Sequence, residues 1–430
     1  MMRRMTTDLA PLRLLHTSDW HLGQDLHGLP RDAEHRAFLT WLLDTLDAQS
    51  IDALLITGDV FDSQNPPVSA QRRLYDFLAE AKRRRPALDI VIIGGNHDSA
   101  TRLEAPDAIL RPFDVTVVGS LPRDPADALV TVTDAQGRPR AMVCAVPFIR
   151  MADLPPRKEV EDGPDPLVEG VRDVYARFIE AARQAAQGLP LVVTGHCYMS
   201  GSAVSEMSER RVLGGNQHAL PADVFPEDCH YVALGHLHKP QRVAGRDAMR
   251  YAGSPFPLSV TEKDYKHQVM LVEITDAAFP AAVTGLPVPR AIDYLRVPAT
   301  GADTPDAVLK ALAALPDAPD PGRDRRPYLE VVVRLESPSP SLRHDVEQIL
   351  AEKPVRLCRL AVEYAGTGQA LAAMVDTPDL AGLDPEDVFA RAWTRSYEGE
   401  PDAAHRRAFH ELMETVQGDA PETAAAEETA

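Results

Sequence analysis

The sequence predicts an α/β protein built as a layered sandwich, with its functional site beyond the carboxyl ends of the strands. Three observations carry that prediction. Between Leu12 and Gly253 a short apolar, β-branched run recurs five times, and each copy leads into a polar residue of a metal-binding type. Helical patterns separate the runs, in the order βαβαβ that packs as layers around a sheet. The chain has 430 residues, 44% of them hydrophobic, enough for two or three domains with cores of their own.

In order, Leu12-Arg13-Leu14-Leu15 leads to Asp19 and His21, Ala53-Leu54-Leu55-Ile56 to Asp59, and Ile90-Val91-Ile92-Ile93 to Asn96 and His97. Leu191-Val192-Val193-Thr194 then leads to His196, and Tyr231-Val232-Ala233-Leu234 to His236 and His238. Apolar runs this short and without alternation read as strands buried on both faces. Between them, Ala37, Phe38, Trp41, Leu42 and Leu46 share one helical face, as do Leu74, Phe77, Leu78 and Ala81. Lys82-Arg83-Arg84-Arg85 closes the second helix, where basic side chains complement the dipole; a phosphate contact is the competing reading. His16, inside the first strand, reads as a satisfied core residue, and His27, His35, His218, His230 and His267 have no motif around them.

A second region opens near Pro289, with strands at Tyr294 to Val297, Tyr328 to Leu335 and Val355 to Val362, and helices at Thr304 to Leu315 and Leu342 to Ala351. It has no cluster of His, Cys or acidic residues, so contact or capping suits it better than chemistry. A third region follows the Gly- and Ala-rich stretch Gly366 to Gly382. There Asp384 caps a helix with Pro385 in its first turn, and Val388, Phe389, Ala392 and Trp393 form its apolar stripe. Ala404, Ala408, Phe409, Leu412, Met413 and Val416 form the stripe of a second helix. This pair reads either as a hairpin packed on the parent domain or as a docking module for another protein's helix.

The net charge of −19 excludes nucleic-acid binding by bulk charge, so any DNA site must be local, metal-bridged or shared with a partner. Cys144, Cys197, Cys229 and Cys358 lie far apart with no CxxC pair, which suggests neither a disulfide framework nor a zinc knuckle and fits a reducing cytoplasm. Arg3 and Arg4 near the start are not followed by an apolar run of signal-peptide type, and no stretch has the length of a membrane span. Gln417 to Ala430, acidic and without a base, reads as a solvated tail. No GxxxxGK[ST] occurs, so any ATP dependence must come from a partner.

Taken singly, Gly-Asp and Gly-Asn are ordinary turn dipeptides. Taken together, Asp19-x-His21, Gly58-Asp59, Gly95-Asn96-His97-Asp98, Gly195-His196 and Gly235-His236-Leu237-His238 follow in order, each after a buried strand. Imidazoles, carboxylates and one amide, without thiolates, suit manganese or a similar first-row divalent ion better than magnesium. Asp62 reads either as a residue behind the ligands or as a cap on the turn into Ser63 to Pro67.

This pattern resembles the calcineurin-like metallophosphoesterases, with their DxH, GDxx, GNHD, GH and GHxH motifs. The resemblance implies a sandwich of two sheets flanked by helices and two metals that activate a water and clamp the phosphoryl oxygens. It places Asp19, His21, Asp59 and His238 on one metal and Asp59, Asn96, His196 and His236 on the other, with Asp59 as the bridge. His97 would then stabilise or protonate the leaving oxygen instead of binding metal.

Within that superfamily the chain is most similar to the SbcD nuclease subunits, bacterial counterparts of the Mre-type repair nucleases. The likeness rests on His16 to Gly23, Gly58 to Asp62, Leu234 to His238, and Tyr251-Ala252-Gly253-Ser254-Pro255 with Pro257-Leu258-Ser259. It implies a nuclease domain over 1–285, a capping and DNA-contacting domain over 286–370, a partner-docking helix pair over 371–418 and a tail over 419–430. It also implies 3′-to-5′ exonuclease and endonuclease action on double-stranded DNA ends and hairpins, and a heterotetramer with the SbcC ATPase. Asp62 stands where archaeal and eukaryotic relatives often have histidine. A small-molecule phosphodiesterase would share every ligand, and an inactive scaffold would share the fold; the later domains argue against the first and the intact ligand set against the second.

Overall fold

A computed structural model describes residues 10–155, 165–203, 219–275, 278–317, 319, 321–337, 339–364 and scattered positions between 389 and 409. The basic N-terminus, His218, the Gly- and Ala-rich stretch, most of the helix pair and the acidic tail lie outside the described residues. Residues 1–363 form one compact unit and 364–430 a second.

In chain order the first unit has β1 (Leu12–Thr17), a small hairpin of β2 (Asp25–Leu26) and β3 (Leu29–Pro30), α1 (Asp32–Ala48), β4 (Ala53–Thr57), α2 (Val68–Arg84) and β5 (Asp89–Ile93). There follow α3 (Ala100–Glu104), α4 (Asp107–Leu110), β6 (Val115–Val118), β7 (Leu129–Thr133), β8 (Pro139–Cys144), α5 (Pro166–Ala186) and β9 (Leu191–His196). Next are β10 (Tyr231–Gly235), β11 (Gln241–Val243), β12 (Arg246–Tyr251), β13 (Gln268–Thr275) and β14 (Ala278–Pro287). Two six-stranded sheets result, ordered β14-β13-β1-β4-β5-β6 and β11-β12-β10-β9-β8-β7. The strands β1, β4, β5 and β6 run parallel in the first sheet. In the second, β8, β9, β10 and β12 do the same.

Side-chain alternation explains why both faces of these strands are apolar. Leu14, Leu55 and Val91 point into the layer between the sheets, where they meet Val143, Val192 and Ala233. Their neighbours Leu15, Leu54 and Ile92 point outward, under Phe38 and Leu42 of α1 and Leu74 and Phe77 of α2. On the far side, Val174 and Phe178 of α5 cover Val193 and Val232. Each fully buried Leu, Ile or Phe contributes about 1.5–3 kcal/mol of transfer free energy. His16 reaches across the inner layer to the hydroxyl of Tyr231 at 2.8 Å and also meets the hydroxyl of Thr57 at 2.9 Å.

The smaller lobe contains β15 (Tyr294–Val297), α6 (Pro305–Ala313), β16 (Tyr328–Leu335), α7 (Leu342–Leu350) and β17 (Arg356–Tyr364). Its sheet order is β15-β16-β17, and Val308, Leu312, Val346 and Leu350 of the two helices pack on Leu329, Val331 and Val333. Tyr294, Tyr328 and Cys358 pack against Leu26 of the small hairpin and Val260. Beside them lies a buried polar joint. Glu34 pairs with Arg31 at 2.8 Å, and its two carboxylate oxygens accept the hydroxyls of Tyr294 and Tyr328, each at 2.9 Å.

The basic residues that close α2 are engaged internally. Lys82 bonds the Leu88 carbonyl and Asp114, Arg83 and Arg84 bond Glu80, and Arg85 bonds the Ile51 carbonyl. In the second unit, Phe389 and Phe409 stack with ring centres 4.4 Å apart and planes within 8°. Of the other expected anchors, Trp393 meets Phe389 at 5.8 Å, while Val388, Leu412 and Met413 lie outside the described residues.

Candidate metal centre

Because β1, β4, β5, β9 and β10 all deliver their carboxyl ends to the same edge, five loops distant in sequence meet there. The first loop is pinned to the second through Asp19 N–H to the Gly58 carbonyl at 3.1 Å and His21 N–H to the Asp59 carbonyl at 3.0 Å. The third is tied to the second by Asp98, whose carboxylate accepts the N–H groups of Val60, Phe61 and Gly95 at 2.9–3.1 Å. Burial and then the neighbouring Asp59 push the Asp98 carboxyl up to about 6. The packing leaves no room for side chains on the backbone between these loops. A Cβ on Gly235 would lie 1.9 Å from the Thr57 carbonyl oxygen, and one on Gly95 2.2 Å from the Asp59 carboxylate.

Asp19, His21, Asp59 and His236 all adopt positive φ, from 44° to 103°. Such backbone costs an L-residue about 1–3 kcal/mol and persists only where the surroundings enforce it, characteristically at functional sites.

Three groups of possible ligand atoms result, each within 4.8 Å of one another: Asp19, His21 and His238; Asp59, His196 and His236; and His21, Asp62 and His97. Asp59 belongs to the second group and also faces His21 of the first. One of its oxygens is 3.7 Å from His21 Nε2 and 3.3 Å from His196 Nε2, while the other accepts the His97 N–H at 2.8 Å. The Asn96 side-chain oxygen is 2.9 Å from His196 Nε2 and 3.0 Å from His236 Nδ1. Asp19 accepts the His236 N–H at 3.1 Å. All eight residues expected from the sequence therefore converge.

The far side of four of the rings is occupied. His196 Nδ1 donates to the Thr57 carbonyl at 2.9 Å, and His97 Nδ1 to the Asp62 carbonyl at 2.8 Å. A carbonyl only accepts, so both rings carry the proton on Nδ1 and turn Nε2 inward. His21 Nδ1 faces the Asp62 carboxylate at 3.0 Å, and His238 Nδ1 faces Glu262 at 2.9 Å. Asp62 thus stands behind His21, the first of its two sequence readings. Glu262, fully buried, also accepts the Leu258 N–H at 2.8 Å. Sequence reasoning missed it; the one available signal is its place just after the Pro257-Leu258-Ser259 block. The preceding Tyr251 to Pro255 block is tied in as well, with Ser254 N–H bonded to the His238 carbonyl at 3.0 Å.

The donor set fits a divalent cation. His21 Nε2 is buried and has no hydrogen-bond partner, as expected of a nitrogen facing an ion. Against its burial, the imidazoles of His196, His97 and His21 hold the Asp59 carboxyl well below the usual carboxylate range. In turn, burial disfavours charge on His196, yet Asp59 and then Asp19 raise it to about 9. Buried carboxylates balanced only by a histidine proton mark a place short of positive charge. His27 lines the cleft beside this cluster, whereas His35, His230 and His267 are engaged elsewhere by the His21 carbonyl, the Leu191 N–H and the Ser254 carbonyl.

The model of the family described as calcineurin-like phosphoesterase matches residues 12–240, and a model described as type 5 capsule protein repressor C-terminal domain matches 294–397. The SbcD component of the SbcCD nuclease of Rhodobacter capsulatus is 42% identical over 391 residues, covering 89% of this chain and 94% of that protein. The chain belongs to the SbcD family of calcineurin-like phosphoesterases. The Escherichia coli K12 member is 32% identical over 390 residues, covering 88% of this chain and 92% of its own. The Bacillus subtilis member is 32% identical over 274 residues, covering 61% and 66%. By family, the chain is a metal-dependent hydrolase of the nuclease class and binds divalent metal ions. Among the described residues no helix is long and apolar enough to cross a membrane.

Proposed function

We propose that this chain is the nuclease subunit of an SbcCD complex, cleaving DNA phosphodiesters with two manganese ions, as a 3′-to-5′ exonuclease and as an endonuclease near ends and hairpins. The observation that carries this reading is the position of Asp59 between two groups of donors from separate loops. Asp19, His21, Asp59 and His238 would hold one ion, and Asp59, Asn96, His196 and His236 the other. The mixed oxygen and nitrogen set suits manganese. Bound there, the ions supply an activated water and neutralise the phosphate during in-line displacement.

Asp62, Glu262 and the Thr57 carbonyl orient the histidines before substrate arrives, which fixes their tautomers. His97, held at Nδ1 by the Asp62 carbonyl, turns Nε2 toward the leaving oxygen and assists its departure by hydrogen bonding or proton transfer. In this reading 1–285 is the nuclease domain, 286–370 the capping domain that contacts DNA, and 371–418 the helix pair that docks SbcC in a cytoplasmic heterotetramer of DNA repair. Residues 419–430 are its solvated tail. End-labelled duplex DNA, incubated with manganese and with chelator beside a chromogenic phosphodiester, tests the activity. Cleavage of the small diester without cleavage of DNA would replace the nuclease by a small-molecule phosphodiesterase.

A further inference from the structure

A cleft of about 320 Å³ opens from the metal centre toward the smaller lobe, with His21, Asp62 and His97 at its inner end and Arg359 of β17 on its wall. We propose that Arg359 is a positioning residue for the nucleic-acid backbone, holding a phosphate that flanks the scissile one. The proposal rests on the nuclease reading above. Among the described residues lining this cleft, Arg359 is the only Lys or Arg. Asp25 and Asp62 share the wall, and the whole chain carries −19, so without a local cation a polyanion would be repelled here.

The guanidinium is pre-set instead of loose. Its Nη1 bonds Glu330 at 3.0 Å, and the other oxygen of Glu330 takes Arg296 Nε at 3.0 Å. One nearly buried carboxylate between two guanidiniums leaves an excess of one positive charge. Arg359 remains 37% exposed, and the bond to Glu330 through Nη1 engages only part of a fork that can bind phosphate through two parallel N–H groups. His27, at the tip of the β2–β3 hairpin with positive φ, lines the same cleft. Burial first, and then the charge of Arg359, lower the pKa of His27, so at neutral pH this ring is uncharged and Arg359 is the cation of the cleft wall. A small diester needs only the metal centre. A polynucleotide, entering the same cleft, has further phosphates to offer to Arg359.

Full-length wild type, Arg359→Gln and Arg359→Lys should be assayed with manganese on end-labelled duplex DNA and on bis(p-nitrophenyl) phosphate, with melting temperatures recorded. The expected result for Arg359→Gln is a rise of about tenfold in KM for DNA relative to KM for the small diester, with kcat on DNA changed less. The slope of log kcat/KM for DNA against log salt should flatten by about 0.9, the worth of one duplex phosphate contact. Arg359→Lys, which keeps the charge but not the fork, should fall between. An unchanged KM ratio and salt slope, or an equal loss on both substrates, would overturn the proposal. Wild type that cleaves the diester but not DNA would instead defeat the nuclease reading, and the proposal with it.

Discussion

Glu262 has no motif around it, yet it orients one of the clustered histidines from a position 24 residues away along the chain. Replacing it with Gln keeps the shape and removes the charge that favours an Nδ1–H on His238. Manganese affinity, measured by calorimetry, should fall by about 10–100-fold, the usual worth of such an orienting partner. His97 belongs to the other kind of residue at this site. Its main-chain N–H bonds Asp59 and its Nδ1 the Asp62 carbonyl, and in the reading proposed above it serves the substrate side. His97→Ala should keep both ions and lose about 10²–10⁴ in turnover on DNA. Loss of one ion in that variant would make His97 a ligand, as its grouping with His21 and Asp62 permits.

At the scale of elements, two buried acids test how strands and helices are joined. Asp89 opens β5 and accepts the Thr133 N–H of β7 at 2.8 Å, so it ties the two sheets together. Burial, helped by nearby Asp114, pushes its carboxyl up to about 6. A folded-state value above the unfolded one means the native state holds a proton that the unfolded chain has already lost. Stability from this group therefore falls as pH rises from about 4 to 6 and stays lower above that, by about 1–3 kcal/mol. Asp89→Asn keeps an acceptor for Thr133 and should remove this decline. Urea unfolding of both proteins at pH 4.5 and 7.5 measures the difference.

Glu34 of α1 sits at the other joint, between Arg31 and the hydroxyls of Tyr294 and Tyr328. Glu34→Ala leaves a buried guanidinium without its carboxylate and should cost about 3–5 kcal/mol in thermal unfolding. Tyr328→Phe removes a single charge-assisted bond, and about 1.5–3 kcal/mol is expected.

For the whole molecule, the open question is whether the C-terminal helices belong to this chain's own stability. Their described aromatic contacts, Phe389 with Phe409 and Trp393 with His405, stay within the second unit. Truncation after Gly382 should leave the melting temperature and manganese-dependent cleavage of short DNA intact while abolishing co-purification with SbcC. If the apolar faces pack on the parent domain, the same cut lowers stability by several kcal/mol, as expected when a few large side chains lose their burial.

What the sequence determined by itself is the set of strands that carry function and the residues at their ends. Runs such as Ala53 to Ile56 are legible because a strand buried on both faces needs an unbroken apolar stretch, and Gly-Asp or Gly-His at its end breaks that stretch visibly. The smaller lobe was legible too, with Tyr294 to Val297 and Tyr328 to Leu335 matching β15 and β16. Tertiary structure alone decided the rest. Pairing of β13 beside β1, across more than 250 residues, has no local signature, because register is set by which apolar faces meet. The partners behind the histidines, Asp62 in a loop and Glu262 at the end of a 3-10 turn, are single carboxylates, indistinguishable in sequence from turn residues. Arg359, in an ordinary strand of the smaller lobe, reaches the metal cleft because that lobe packs on Leu26 and Val260 and is bonded to Glu34 through Tyr294 and Tyr328. Local physics writes periodicity and turn chemistry into a sequence, whereas a convergence of five loops exists only once the sheets have packed.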